Sequence, residues 1–199
     1  GIISSLGGRK AQDCVPILGE LVYDPDASIG IAATKALGQI ANPDAASVLS
    51  DALAKTKGKL QIEVAASLLR CAEKYLANKD LKSSADIYAR LLTLELPTPI
   101  RQAAMKGMIA SSGNSARKLV VDVLTGKEKE LYAPAISMIE DIFDGSTIQE
   151  LRALLPNLPP ENQVQLLAVM AHYRDKAILS TAIEATKSEE SDVRVAGLK

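Results

Sequence analysis

The stretch IGIAATKALGQIANPDAASVLSDAL, residues 29–53, decides the fold. Ile29, Ala32, Ala33, Ala36, Leu37 and Ile40 recur at helix spacing, so one face of the first half is apolar. Asn42-Pro43-Asp44 interrupts the run, and Ala45, Val48, Leu49, Ala52 and Leu53 then resume it. Asn is a favoured N-cap and Pro is tolerated in a first helical turn, so the break predicts a tight turn between two antiparallel helices.

The same pattern recurs along the chain. Leu6-Gly7 matches Leu37-Gly38 at a step of 31 residues, and a second helix is predicted over residues 10–23 with Cys14, Ile17, Leu18, Leu21 and Val22 inward. Asp24-Pro25-Asp26 ends that helix, and Asp26 or Ser28 can cap the next. A third unit is placed from Ile62, a step of 33 from Ile29, with Ala65-Ala66 where the reference has Ala32-Ala33, Arg70 at the Leu37 position and longer helices joined at Asn78-Lys79-Asp80. A fourth begins at Thr98-Pro99-Ile100, a step of 38, and carries Ala104, Met108, Ala116, Val120 and Leu124 in template register. Ala135, Ile139, Ile142, Leu151 and Leu155 mark a fifth unit, Pro159-Pro160-Glu161 opens a sixth, and Ser191-Asp192-Val193 opens a seventh, each at a further step of 31. No stretch shows the alternation of a β-strand. Gly38, in mid-helix, implies close approach of a neighbouring helix backbone to offset its cost of roughly 1 kcal/mol.

A period near 31 with two helices per unit marks an α-solenoid. Ile29, Ala32-Ala33, Ala36-Leu37-Gly38, Asn42-Pro43-Asp44-Ala45 and the terminal Asp192-Val193-Arg194-Val195-Ala196 resemble HEAT repeats, of the short bacterial kind similar to those of phycobilin lyases. The resemblance implies an all-α superhelix, right-handed and curved, with about five complete pairs and partial units at both ends. The expectation is a single array over residues 1–199, with Gly1 and Lys199 as edges of a longer chain. Val193, Val195 and Leu198 should then leave apolar surface open.

The chain offers little catalytic equipment. His172 is its single histidine, which excludes a multi-histidine metal cluster or the iron hydroxylases that share this fold; it reads as a helix-terminal surface residue. Gly7-Gly8 and Gly38 lack the context of a phosphate loop. Base-flipping glycosylases of similar architecture need a basic groove and aromatic platforms, whereas this chain has no Trp, one Phe and a net charge of −1. Cys14 and Cys71 read as buried free thiols. Glu189-Glu190-Ser191-Asp192 reads as acidic residues at a helix start rather than a cation site, and Lys127 to Glu130 as a solvated turn. No apolar run reaches the roughly 18 residues of a membrane span. No catalytic, cofactor-binding or metal-binding residue is assigned, and the compartment is left open.

What is left is a surface. HEAT resemblance puts the second helix of each unit on the concave face. The outward positions there are Ser47 and Asp51, repeated as Pro16 and Glu20, Asp86 and Arg90, Lys118 and Asp122, Gln149 and Ala153, and Ser180 and Glu184. Glu20, Asp51, Asp86, Asp122 and Glu184 outweigh Arg90 and Lys118, so the ridge is expected to be mildly acidic. The expected function is a non-catalytic interaction or scaffold module that takes a basic or neutral polypeptide, not nucleic acid. The alternatives are an accessory domain of a larger bacterial enzyme, or a phycobilin-lyase-like subunit.

The helix phase makes one prediction on its own. Ala33→Glu would put a carboxylate on the apolar face without a partner, at a cost of several kcal/mol. Its thermal melt should fall well below the parent's, and an unchanged melt would show the phase to be wrong.

Overall fold

Asn42 joins two helices as expected. In the computed structural model, which describes residues 2–144, 149–173 and 176–198, its Oδ1 accepts a hydrogen bond from the Ala45 amide at 2.8 Å. Pro43 takes the first turn of the following helix, where a missing N–H does no harm. Ala41, just before, is left-handed at φ 45°, and its amide reaches the Leu37 carbonyl to close the preceding helix. Gly1 and Lys199, the expected edges, lie outside the described residues. The described residues form helices and turns, with no strand among them.

The helices group into two compact units, residues 1–111 and 112–199. The first contains α1 (Ile2–Gly8), α2 (Val15–Leu21), α3 (Ala27–Ile40), α4 (Pro43–Lys55), α5 (Gly58–Ala77), α6 (Leu81–Leu92) and α7 (Thr98–Ser111). Within it α1 packs on α3, α3 on α5 and α5 on α7, so the first helices of successive pairs form one layer. α2 and α4 pack side by side behind that layer, and α6 lies against α5 and α7. Asp26 caps α3 and Asp80 caps α6 through the amides of Ser28 and Ser83. These bonds hold both carboxyls below their usual range: the Ser28 hydroxyl contributes most at Asp26, and the Ser83 side chain most at Asp80.

The layer depends on small residues at its contacts. A Cβ on Gly7 would lie 2.7 Å from the Ala36 Cα, and one on Gly38 would lie 3.0 Å from the Ser67 Cα. Both pairs are 31 residues apart at each end, so one contact is used twice. The expected close approach at Gly38 is there. The Ser67 hydroxyl is buried with no hydrogen-bond partner, so the position uses its small size and not its polarity.

Two expectations in this unit need correction. Val64, Leu68 and Cys71 are buried 31 residues after Ala33, Leu37 and Ile40, whereas Ile62 and Arg70 are exposed. The third unit therefore keeps the 31-residue step, and Arg70 matches Gln39 rather than Leu37. The next step, from Val64 to Ala104, is then 40 and not 38. The excess lies at the hairpin tip: α5 continues to Ala77, past Cys71, the counterpart of the last residue of α3. From that extension the Lys74 Nζ donates to the Ile40 carbonyl at 3.0 Å, satisfying an otherwise open helix end. The second correction is the helix placed over residues 10–23. Lys10 is left-handed at φ 53°, a 3-10 turn covers Gln12–Cys14, and α2 starts only at Val15. Pro16 forces this, because mid-helix it would lose a hydrogen bond and clash with the preceding turn. Val15, Leu18 and Val22 consequently face inward, Cys14 and Leu21 are half-buried and Ile17 is exposed. Ala33, Ala36, Leu37 and Ala104 are buried as predicted, and Met108 is half-buried.

The second unit contains α8 (Ala116–Thr125), α9 (Tyr132–Ile136), α10 (Ile139–Ile142), α11 (Gln149–Arg152), α12 (Pro160–Met170), α13 (Lys176–Ala185) and α14 (Ser191–Gly197). Ala135, Ile139, Leu151 and Leu155 are buried in template register. The fifth unit's first helix is nevertheless split into α9 and α10. The Ser137 hydroxyl donates to the Pro134 carbonyl at 2.8 Å and the Met138 amide bonds three residues back, which tightens the chain locally. Its second helix is also short, because Pro156 opens a 3-10 turn after Leu154. At the far end Val193, expected to be open, is buried, whereas Val195 and Leu198 are exposed as expected.

One packing pair can be tested directly. Gly107 stands at the Ala36 position and faces the buried ring of Tyr88, which stands where α4 has Leu49. Gly107→Ala should cost about 1–3 kcal/mol by overpacking, despite the better helix propensity. Adding Tyr88→Leu should recover part of that loss, with a coupling of about 0.5–3 kcal/mol in denaturant melts. Strictly additive losses would show that the ring does not set the glycine.

Candidate partner surface

Every position projected onto the second-helix ridge is exposed: Pro16 and Glu20 on α2, Ser47 and Asp51 on α4, Asp86 and Arg90 on α6, Lys118 and Asp122 on α8, and Ser180 and Glu184 on α13. Gln149 is exposed on α11, but Ala153 falls just past the end of that helix, so these two do not form a one-turn pair.

The first unit brings part of the ridge together. Because α2 and α4 pack side by side at the repeat step, Pro16 has Ser47 as its counterpart on the neighbouring helix, and Glu20 has Asp51. A groove of about 450 Å³ runs between the starts of these helices, lined by Asp13, Pro16, Asp44 and Ser47 with Val15 and Val48. Asp13 and Asp44 had not been picked out from the sequence. They are themselves 31 residues apart, so extending the ladder one turn towards the helix starts would have found them. With them the exposed carboxylates of this unit's second helices and their leading turns are Asp13, Glu20, Asp44, Asp51, Asp80 and Asp86, against the exposed cations Lys55, Lys82 and Arg90 on the same helices.

The second unit differs. Glu184 lines a cavity of about 310 Å³ with Arg152, Gln163 and Thr181, so charge there is mixed. Arg117 lies 5.8 Å above the Phe143 ring and reaches Glu150 at 3.8 Å, holding α8 to the turn after α10 and to α11. His172 sits just past α12, well exposed, with its Nδ1 2.9 Å from Glu140. The acidic run Glu189 to Asp192 leads into α14, as expected of carboxylates at a helix start.

Among the described residues, no group of histidine, cysteine and carboxylate side chains is arranged to hold a metal ion, and no helix is long and apolar enough to cross a membrane. Cys14 and Cys71 are free thiols with different surroundings: Cys71 is buried, Cys14 only half so. Burial pushes the Cys71 thiol up to about 11, against the pull of Lys74 and Arg70. An alkylating agent at neutral pH should therefore modify Cys14 alone in the native protein, and Cys71 only after denaturant is added. Mass spectrometry of the labelled protein reads this directly, and fast native labelling of Cys71 would contradict its packing.

The sequence family described as HEAT repeats matches residues 1–70, which covers α1 to α4 and most of α5. A search among curated proteins finds no match. HEAT repeats commonly serve as protein-interaction scaffolds, and the fold is typically non-catalytic. The 31-residue step, the Gly7 and Gly38 contacts and the matched stretch all coincide, and residues 1–70 match the HEAT-repeat family.

Proposed function

We propose that this chain is a non-catalytic interaction module that binds a basic segment of a polypeptide along the second-helix face of its first unit. The observation that carries this reading is the groove between α2 and α4, where Asp13 and Asp44 flank an apolar floor of Val15 and Val48. Apolar contact with flanking carboxylates suits a chain that alternates apolar and basic side chains. Phosphate-rich nucleic acid would be repelled by the same carboxylates. Glu20, Asp51 and Asp86 extend the acidic character along the ridge. The repeat organisation is read as running through residues 1–199, supported by the constant offset of residues 100–124 from the reference pair.

The test compares a basic peptide with single-stranded and duplex DNA at low salt, by fluorescence anisotropy. The peptide should bind and weaken as salt rises. Asp44→Lys with Asp51→Lys should cut affinity by about tenfold or more, the scale of losing central interface contacts. Tight DNA binding that Arg90→Glu and Lys118→Glu abolish, and that the aspartate reversals leave intact, would overturn the reading.

A further inference from the structure

A larger groove lies in the second unit, on first helices rather than second ones. It runs between α12 and α14, which pack against each other, and has a volume of about 760 Å³. Val164 and Ala168 of α12, Ala171 just past its end, and Val195 and Ala196 of α14 contribute its apolar surface. Ala168 and Ala171 are exposed, and Val195 is 49% exposed, so this surface is open to solvent. Small side chains on both walls let a third helix approach closely.

The edges carry charge of one sign. Glu161 at the start of α12, Glu190 and Asp192 at the start of α14 all line the groove, and none of the described residues lining it is basic. Arg194, the nearby cation on α14, is turned away: its guanidinium donates to the Ser188 and Glu189 carbonyls at 2.9 and 2.7 Å. The three carboxylates thus face a partner without an internal counter-charge from that arginine. α12 has 11 residues, about 16 Å, or three helical turns.

We propose that this groove docks a cationic amphipathic helix of a partner protein, its apolar stripe on Ala168 and Val195 and its basic residues beside Glu161, Glu190 and Asp192. The site is separate from the α2–α4 groove and uses a different recognition mode, helix-in-groove rather than an extended segment. A neutral apolar partner would leave the carboxylates partly desolvated and unpaired, which disfavours it.

The probe is a fluorescein-labelled Leu/Lys amphipathic helix of about 18 residues, long enough to hold helical form on binding. All titrations use the Asp44→Lys, Asp51→Lys variant, which disables the α2–α4 groove as a competing site for basic peptides, with two controls: a scrambled peptide of the same composition and a Leu/Glu twin. Saturable binding of the Leu/Lys helix alone is expected, lost by about tenfold or more in Ala168→Arg, which blocks and recharges the groove. Val195→Lys, at an exposed position on the opposite wall, should weaken it in the same direction. Circular dichroism melts confirm that each variant is folded. Equal binding of the scrambled peptide, no binding of the Leu/Lys helix, or binding that Ala168→Arg leaves intact would overturn the proposal. So would sedimentation showing self-association of the parent that Ala168→Arg abolishes, because a second copy would then be the occupant. The α2–α4 reading is tested separately, because Asp44 and Asp51 are reversed in the background used here.

Discussion

The contact between successive first helices is the constraint from which the first unit follows. Gly7 lies against the Ala36 backbone and Gly38 against Ser67, at distances that admit no Cβ. A glycine inside a helix costs roughly 1 kcal/mol in propensity, which the close packing offsets. With the first helices locked at a fixed spacing, the second helices follow at the same step. Pro16 and Ser47, Glu20 and Asp51, and Asp13 and Asp44 consequently become equivalent positions on neighbouring helices.

Variation is confined to places that leave this contact intact. The third unit absorbs its extra residues at the hairpin tip, beyond Cys71, where the added length of α5 brings Lys74 over the end of α3. Its buried positions stay in step with those of α3. Where a large ring is used, at Tyr88, the facing helix supplies Gly107, so volume is exchanged across the contact and not simply added. The burial that makes room for Tyr88 also pushes its hydroxyl up to about 12.

Charge is organised at a finer scale than composition reveals. Net charge is −1, yet carboxylates gather on the starts and outward faces of α2, α4 and α6 and again on the edges of the α12–α14 groove. Three basic residues are engaged elsewhere, Lys74 and Arg194 on carbonyl oxygens and Arg117 on Phe143 and Glu150. A nearly neutral chain can thus present two acidic surfaces, each next to exposed apolar side chains.

The sequence by itself determined the all-α class, the 31-residue step, the Asn42-Pro43 turn and the exposure of every ridge position. These depend on spacing and local capping, which a helix dictates residue by residue. It misplaced the third unit because Ala65-Ala66 imitates Ala32-Ala33; only packing showed that Val64 and Leu68 are the inward residues. It ran one helix through Pro16 and another through Pro134-Ser137, where backbone chemistry overrides apolar periodicity. It also missed Asp13 and Asp44 and the α12–α14 groove. A groove is made by two helices that approach with small residues between them, and that approach is decided by tertiary contact, not by the pattern along either helix.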